Sequence, residues 1–351
     1  MPELDTLAAA LRDGTVVELM VNQDGSMYVE RSGAGLEKLP GQAKPEDVLA
    51  ILKAFVGDPG VFGPSRPYAD LLALDGSRVH VIAPPLVSGG LCLTVRKRPS
   101  KRPSLPQLAE GGALSHQCAG FLSYAIEHKK NILVVGGTSS GKTTLLNALI
   151  EMIDPKERLI ILEDTPELTP TQPHVMSLRT RTRDAAGQPD VTLGDLLVNT
   201  LRMRPDRIIV GEVRGPEALA LLQAMNVGHE GTLGTLHANS CREAIQRLET
   251  LVLMAGTEMP LKAVRGNIAS ALDLIVFMAR LADGSRRVVQ VAEVTGMELE
   301  NLTMADLYKT ESRKTAAGMT FQLRPTGSIP RFYDQLRQQG HEPPLDFFKS
   351  N

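Results

Sequence analysis

The sequence is poor in the residues that mark several large classes of protein. Its 351 residues include three cysteines, no tryptophan and only 4% aromatic residues. Cys92, Cys118 and Cys241 lie far apart and form no C-x-x-C pair. This spacing disfavours a disulfide framework or a zinc knuckle and favours reduced thiols in the cytoplasm.

Long apolar runs and a strong net charge are also missing. No stretch reaches the roughly 18 apolar residues of a membrane-spanning helix. The start of the chain, "MPELDTLAAALRDG", lacks the basic-then-apolar pattern of a signal peptide. The net charge of −2 argues against a broad basic surface, so no direct contact with nucleic acid is expected, although a local basic groove stays open. Any membrane contact is expected to be peripheral, through partners or the protein surface.

The first part of the chain, residues 1–96, predicts a small α+β domain. Two strand-like hairpins turn at Asp24-Gly25 and at Asp75-Gly76, a dipeptide that favours tight turns. Between them, "KPEDVLAILKAFVG" has the apolar spacing of an amphipathic helix, with Pro45 in its first turn. The segment "LCLTVRKR" closes the domain as a strand.

The composition changes over residues 97–110. Pro99, Pro103 and Pro106 stand among basic residues in "RKRPSKRPSLPQLAEG", a pattern that predicts an extended linker. The linker can be a solvated hinge, or a segment whose arginines face a phosphate-bearing neighbour.

Strands and helices alternate over residues 111–351. Short β-branched runs such as "NILVVGG", "RLIILED", "RIIVGEV" and "GTLGTLHA" are separated by helical patterns such as "TTLLNALIEMI" and "GPEALALLQAMN". This alternation predicts an α/β domain with a mainly parallel sheet covered by helices on both faces. The domain is expected to end in a C-terminal extension of helix and strand.

One motif in this domain carries clear chemistry. "GGTSSGKTT" follows the strand "NILVV" and opens a helix, which is the setting that a P-loop requires. Glycines let backbone N–H groups converge on phosphate oxygens at the helix N-terminus. The motif predicts ATP and Mg²⁺ as cofactors, with Lys142 on the β- and γ-phosphates and Thr143 on the metal. The predicted nucleotide-binding residues are Gly136, Gly137, Thr138, Ser139, Ser140, Gly141, Lys142, Thr143 and Thr144.

Acidic partners stand at the ends of two other strands. Glu212 ends "RIIVGE", where it can hold Mg²⁺ through water or polarise the attacking water. Glu163 and Asp164 end "RLIILED", with Glu167 close behind. One of these three can activate water, or they can simply cap the turn that follows. The guanine-recognition motif N-K-x-D is absent, which disfavours a GTPase.

The core of the chain resembles the secretion ATPase superfamily of type II and type IV secretion and type IV pili. "LEDTPEL" is similar to that family's aspartate box, "RIIVGEVRG" to its atypical Walker B motif, and "GHEGTLGTLHANS" to its histidine box. The resemblance implies a RecA-like ATPase domain behind a PAS-like α+β domain. It implies that His237 senses the γ-phosphate and that His229, on the preceding loop, also contacts nucleotide. A structural role for either histidine stays open.

The C-terminal third resembles the Tad/Flp pilus assembly ATPases, the CpaF-like branch. The similarity rests on "RLETLVLMAG", "IASALDLIVFMARLADGSRRVVQVAEVTGME" and "LRPTGSIPRFYDQLRQQG", and on "VVELMVN" and "LTVRK" nearer the start. Two departures are the lack of that branch's N-terminal helical extension and the replacement of "GIRPRF" by "GSIPRF" at residues 327–332. The missing extension puts in doubt any docking role assigned to it and leaves open a shorter relative from a conjugation system.

The resemblance also implies a homohexameric ring in which front-domain arginines approach the phosphates. Arg78 and Arg96 lie in the matching motifs and Arg98 is nearby, and a guanidinium there stabilises developing phosphoryl charge. Solvated strand-end charges are the alternative. Three further arginines flank the Walker B strand, where subunit sensing and plain ion pairing are equally open: Arg202, Arg204 and Arg214.

We therefore expect a cytoplasmic, Mg-dependent ATPase, peripheral at the inner membrane, that powers Tad/Flp pilus assembly through a platform of inner-membrane proteins. The first alternative is a type IV secretion or conjugation ATPase of the same superfamily. A DNA-translocating ring motor and a binding module with structural ATP are two further hypotheses.

Overall fold

The structure is a computed structural model that describes residues 2–31, 35–57, 62–98, 102–181, 189–315 and 318–349. The chain divides into two compact units, Met1–Lys101 and Arg102–Asn351. Residues 99–101 of the predicted linker, Pro99 among them, lie outside the described residues.

The first unit is an antiparallel sheet with two helices. Its strands follow the order β3-β2-β1-β6-β5-β4. Leu7 of the first helix and Leu52 of the second are buried in one cluster with the sheet residues Leu19 and Val95. The elements are α1 (Pro2–Arg12), β1 (Val16–Val21), β2 (Ser26–Arg31), β3 (Gly35–Gln42), α2 (Pro45–Val56), β4 (Tyr68–Leu72), β5 (Arg78–Ile82) and β6 (Cys92–Arg96).

Both predicted hairpins are present in this unit. Strand β1 pairs antiparallel with β2, and β4 with β5. Gly25 and Gly76 have φ angles of 80° and 83°, in the left-handed region that glycine adopts without strain. Helix α1 and strand β3 were not predicted.

The second unit alternates strands and helices before it ends in long antiparallel strands. Its first elements are α3 (Leu105–Glu110), α4 (His116–Glu127), β7 (Ile132–Gly136), α5 (Lys142–Ile150), β8 (Leu159–Glu163), β9 (Val175–Arg179), α6 (Leu193–Thr200), β10 (Arg207–Val213) and α7 (Glu217–Asn226). The rest are β11 (Leu233–Leu236), α8 (Cys241–Leu253), α9 (Leu261–Ala271), β12 (Leu274–Arg280), β13 (Arg286–Glu298), β14 (Asn301–Thr315), β15 (Gly318–Pro325), α10 (Phe332–Gln338) and a 3₁₀ turn at Asp346–Phe348.

These strands form one sheet in the order β15-β14-β13-β12-β7-β11-β10-β8-β9. The six strands from β12 to β9 in this order are parallel, and β13, β14 and β15 add to them antiparallel. Two hydrophobic clusters, one on each face, bury the sheet beneath helices. The prediction of a mainly parallel α/β sheet is confirmed. A C-terminal extension of helix and strand was also predicted, but not that its strands would continue this sheet antiparallel.

The end of the predicted extended linker is helical. Ser104 caps α3 by accepting the N–H of Gln107, whose side chain in turn accepts the N–H of Ser104. Leu105 and Ala109 are buried in the core of the second unit. Pro106 lies in the first turn, where proline does not disturb a helix. The prediction of an extended linker is therefore wrong for residues 105–110, which form α3. Within the described ranges, no helix combines the length and the apolar character needed to cross a bilayer.

Candidate functional site

Parallel pairing brings the ends of four strands to one edge of the large sheet. Strand β11 lies between β7 and β10, with Leu236 in register with Val135 on one side and Val213 on the other. The next residue, His237, therefore follows its strand beside the loop after β7. Strand β8 pairs with the other side of β10, so that its last residue, Glu163, reaches the same edge. The register thus unites the phosphate-loop, Walker B, aspartate-box and histidine-box segments.

The loop after β7 has the tight geometry of a phosphate cradle. A Cβ atom at Gly136 would lie 2.4 Å from Ser140 Oγ and 2.5 Å from the Met278 carbonyl oxygen, so only glycine fits there. Gly141 precedes α5 with φ 102°, and Ser139 has φ 57°. The first N–H groups of α5 have no intrahelical acceptor and are available to an anion.

Lys142 lies inside this cradle. Its Nζ donates to the carbonyl oxygens of Gly136 at 3.0 Å and Gly137 at 3.1 Å, and lies 3.9 Å from Glu212 Oε1. Burial lowers the pKa of Lys142, and the Glu212 carboxylate opposes that shift. Ser140 Oγ is buried without a hydrogen-bond partner among the described residues. A buried ammonium held by loop carbonyls and an unsatisfied hydroxyl beside it fit a phosphate group.

The antiparallel pair of β12 and β13 contacts the outer side of the phosphate cradle. Arg286, at the start of β13, donates its Nε–H to the Ser139 carbonyl oxygen at 2.9 Å. The Met278 Cε atom of β12 would lie 3.2 Å from a Cβ at Gly141. The role of Arg286 was missed from the sequence, because nothing in a strand-end arginine 147 positions away marks it as a partner of Ser139.

The Walker B acid is held by an arginine. Glu212 Oε2 accepts the Nε–H of Arg214 at 2.7 Å, and a second short contact joins the same oxygen to the Arg214 Nη2. Asp164 Oδ2 lies 4.0 Å from the same guanidinium. Burial works against the charge of Arg214, but these carboxylates raise its pKa. Ion pairing within the chain therefore accounts for Arg214 here.

The acids at the end of β8 make different contacts, which the sequence could not distinguish. Glu163 is 4% exposed, and its Oε1 accepts the N–H groups of Glu167 at 2.7 Å and Leu168 at 2.9 Å. It therefore caps the turn, which was the alternative to its predicted role in water activation. Glu167 Oε2 instead accepts the hydroxyl of Thr143 at 3.1 Å. The carboxylate beside the predicted magnesium ligand is thus Glu167.

The two histidines lie at opposite ends of β11. His237 follows the strand at the phosphate-loop edge and is half-buried. His229 precedes the strand, and its carbonyl oxygen accepts the hydroxyl of Thr232, whose own carbonyl pairs with the first residue of β7. Because the strand spans about 13 Å at ~3.3 Å per residue, His229 does not reach the cradle of its own chain. The prediction that His229 contacts this nucleotide site is not supported by the geometry.

The remaining candidate arginines have different surroundings. Arg78 and Arg96 are directly opposite each other on β5 and β6 of the first unit, and Glu18 of β1 is opposite Arg96 on its other side. Arg98 packs over the Asp75-Gly76 turn, where its Nη1 would lie 2.8 Å from a Cβ at Gly76. The approach of these arginines to phosphate stays a prediction.

Arg202 and Arg204 are exposed on the loop that enters β10, at the edge of the sheet opposite the cradle. Arg204 has φ 54°, a strained value for a residue with a side chain. They stand apart from the site of their own chain.

The fold and this edge of the sheet define a class: a P-loop nucleotide-binding α/β protein with an extra strand, β11, between the phosphate-loop strand and the Walker B strand. The family model described as "Type II/IV secretion system protein" matches residues 73–323. Since that match covers more than half of the chain, the protein belongs to the type II/IV secretion system ATPase family, as the motifs predicted.

Named relatives and solved structures agree with this assignment. The conjugal transfer protein TrbB of Rhizobium radiobacter is 37% identical over 83% of this chain and 88% of its own length. The type IV secretion system protein VirB11 of Bartonella quintana is 30% identical over 83% of this chain and 92% of its own. The ATPase DotB of Legionella pneumophila shares the fold, with a TM-score of 0.60 at 20% identity over 82% of this chain and 79% of that one.

The Tad/Flp branch of the prediction is not confirmed. The relatives named above are proteins of conjugal transfer and type IV secretion, which favours the alternative of a conjugation or type IV secretion ATPase.

Proposed function

We propose that this protein is a Mg-dependent ATPase that powers a conjugation or type IV secretion apparatus. The observation that carries the proposal is the shared sheet edge where Lys142 lies beside Glu212 and Thr143 donates to Glu167, with His237 at the end of the strand between them. The relationship to TrbB, over most of both chains, supports conjugal transfer over pilus assembly.

Nucleotide binding would replace the hydrogen bonds that Lys142 makes to the carbonyl oxygens of its own loop. Its ammonium, now on the carbonyls of Gly136 and Gly137, would turn to the β- and γ-phosphate oxygens. Backbone N–H groups from Gly137 to Thr144 would surround the phosphates at the start of α5. Magnesium, when bound, would neutralise phosphate charge, and the Thr143 hydroxyl is the group that would ligate it.

Hydrolysis then needs an oriented water and compensation of phosphoryl charge. Glu212 is placed to orient water or metal-bound water, because it lies beside Lys142 and is held there by Arg214. His237 at the end of β11 would respond to the γ-phosphate. Glu163 would act through the turn it caps, as a positioning residue.

We propose a homohexameric ring as the working form. In it Arg78 and Arg96 of the first unit would face phosphate, and movement between the units would be passed on to inner-membrane partners. The protein would act at the cytoplasmic face of that membrane without direct contact with nucleic acid.

Turnover and binding must be measured separately to test the enzyme assignment. We expect ATP hydrolysis that requires Mg²⁺, loss of nucleotide binding in Lys142→Ala, and loss of turnover with binding retained in Glu212→Gln. Removing one catalytic carboxylate of this kind is expected to cost about 100-fold or more. The control is Glu298→Gln, an exposed carboxylate at the end of β13. Full turnover in Lys142→Ala would refute the proposal, and binding without turnover in the wild type would favour a module with structural ATP.

The process that the motor serves is tested by its partners. Cross-linking in cells followed by purification of the intact protein should recover membrane proteins of a conjugation channel. Recovery of a pilus platform instead would restore the Tad/Flp assignment. Stimulation of turnover by purified DNA would support a DNA-translocating motor and contradict both.

A further inference from the structure

Glu167 is held in place at three points. Its N–H donates to Glu163 Oε1 at 2.7 Å, its carbonyl oxygen accepts a short hydrogen bond from Arg102 Nη2, and its carboxylate accepts the Thr143 hydroxyl at 3.1 Å. A Thr143 proton directed to this carboxylate leaves the hydroxyl lone pairs to face a metal ion. The position of the backbone at Glu167 therefore decides how Thr143 is oriented.

The turn around Glu167 is anchored on its other side to helix α5. Asn147 is 3% exposed, and its Nδ2 donates to the Thr143 carbonyl oxygen at 2.7 Å. Its Oδ1 accepts the N–H of Thr169 at 2.8 Å. Glu163 and Asn147 thus tie the turn to the body of the second unit. Arg102 is the contact that comes from a different part of the chain, 65 positions before Glu167.

Arg102 occupies a special place in the chain. It is the first residue of the second unit. Two positions later Ser104 caps α3, whose buried residue Leu105 lies in one cluster with Leu145 of α5. The chain after Arg102 is thus fixed on the helix that follows the phosphate loop, whereas the chain before it leads to the first unit.

We propose that Arg102 is a positioning residue: its hydrogen bond to the Glu167 carbonyl oxygen holds the Glu167 carboxylate on Thr143, the predicted magnesium ligand. The inference rests on the proposed function, since it assigns a positioning role at the same nucleotide site. Coupling of this kind is reciprocal: a nucleotide with Mg²⁺ that fixes Thr143 and Glu167 also fixes Arg102.

The test compares nucleotide binding with and without metal in the full chain. Calorimetry gives the dissociation constant of ADP in saturating Mg²⁺ and in EDTA for the wild type, Arg102→Gln and Arg102→Lys. In Arg102→Gln we expect the affinity for ADP in EDTA to be unchanged. The Mg²⁺-dependent gain, which is the ratio of the dissociation constant in EDTA to that in Mg²⁺, should fall about tenfold, as for loss of an outer-shell partner of a metal ligand. Arg102→Lys should restore part of the gain, because an ammonium can donate to one carbonyl but lacks the planar fork.

The matched control is Arg287→Gln. Arg287 is also half-buried and also donates its guanidinium to a backbone carbonyl, that of Phe321, at 3.1 Å. An equal loss of the Mg²⁺-dependent gain in this control would overturn the inference, as would an unchanged gain in Arg102→Gln. Melting temperatures of the variants identify any that have lost the fold.

A double-mutant cycle shows whether Arg102 acts through Glu167. Glu167→Gln alone should also reduce the Mg²⁺-dependent gain, and adding Arg102→Gln to it should have little further effect. Additive losses would contradict the connection. If Mg²⁺ strengthens ADP binding and the variants change this effect as expected, but no ATP is hydrolysed, then the proposed function fails and the link from Arg102 to Glu167 stands. If ATP is hydrolysed and Arg102→Gln leaves the gain intact, the connection fails alone.

Discussion

Arg286 and Ser139 join the antiparallel extension of the sheet to the phosphate loop through a hydrogen bond of 2.9 Å. Ser139 adopts φ 57°, a conformation that costs a residue with a side chain about 1–2 kcal/mol. The guanidinium satisfies the carbonyl of this strained residue, and so stabilises the loop in the shape that receives phosphate.

Replacing Arg286 by alanine should therefore weaken nucleotide binding. We expect a loss of about 1 kcal/mol, or roughly fivefold in the dissociation constant of ADP, for one hydrogen bond to an exposed charged donor. Arg324→Ala, which removes an arginine of β15 that contacts Gln322, is the control and should bind ADP like the wild type. Equal affinities for the wild type and Arg286→Ala would show that the loop holds its shape unaided.

Gly120 of α4 makes room for an aromatic ring near the C-terminus. A Cβ there would lie 2.7 Å from Phe347 Cε1, so Gly120→Ala should lower the free energy of unfolding by about 1–3 kcal/mol. Gly266 of α9 has no heavy atom within 4 Å of the same position. Gly266→Ala should raise stability by up to about 1 kcal/mol through helix propensity. Thermal unfolding of both variants checks the pair, and a loss in both or in neither would contradict it.

Helix α4 ends in a Schellman motif with lysine where glycine is preferred. The N–H of Lys130 donates to the Ala125 carbonyl and that of Lys129 to Ile126, while Lys129 has φ 52°. Lys129→Gly should stabilise the protein by about 1 kcal/mol, since the ion pair that it loses to Glu157 is largely exposed on the lysine side.

Lys130→Gly is the comparison for this change. Lys130 lies 3.7 Å from Asp273 and above the Phe332 ring, so its removal should destabilise. Denaturant midpoints that move in the same direction for both glycine variants would argue against backbone strain at Lys129.

Glu293 of β13 is a buried carboxyl at the start of α10. It accepts the N–H of Arg331 at 2.7 Å, and the half-buried Asp273 is a second acid nearby. Burial raises the pKa of Glu293 from 4.5 to about 7, although the Arg331 and Phe332 N–H groups and the Arg331 charge oppose the shift.

The raised pKa predicts the pH dependence of stability. Between pH 4.5 and 7 the folded protein keeps a proton on Glu293 that the unfolded chain releases, so this group's contribution is complete below pH 4.5 and falls as the pH rises toward 7. The full effect is about 3 kcal/mol. Glu293→Gln should flatten this part of the profile in urea unfolding at pH 5 and pH 7, and the exposed Glu298→Gln should not. An unchanged slope in Glu293→Gln would contradict the assignment.

Local patterns predicted the elements of the site well. The strand, glycine-rich loop and helix around Lys142 are consecutive in sequence, so their physics can be read without tertiary information. The same holds for the strand-end positions of Glu212 and His237. The prediction was wrong at the end of the linker, because the helix there is stabilised by burial of Leu105 against α5, some 40 residues later in the chain.

Contacts between distant segments could not be predicted. Three acids stand within five positions at the end of β8, and only the fold of the turn shows that Glu163 caps it while Glu167 accepts the Thr143 hydroxyl. The placement of His229 away from the loop likewise depends on the direction of β11. The antiparallel strands β13–β15 were missed as sheet members, since strand pairing is set by partners along the chain and not by composition.

Gly211 limits which acids this site can carry. A Cβ at that position would lie 2.9 Å from Glu163 Cγ, so the space that an aspartate before Glu212 would need is already filled. Gaining that aspartate would require the Glu163 side chain to shift or to be smaller, which would disturb the cap of the turn that orients Glu167. The residue at 211 on one strand is therefore tied to the residue at 163 on the neighbouring strand.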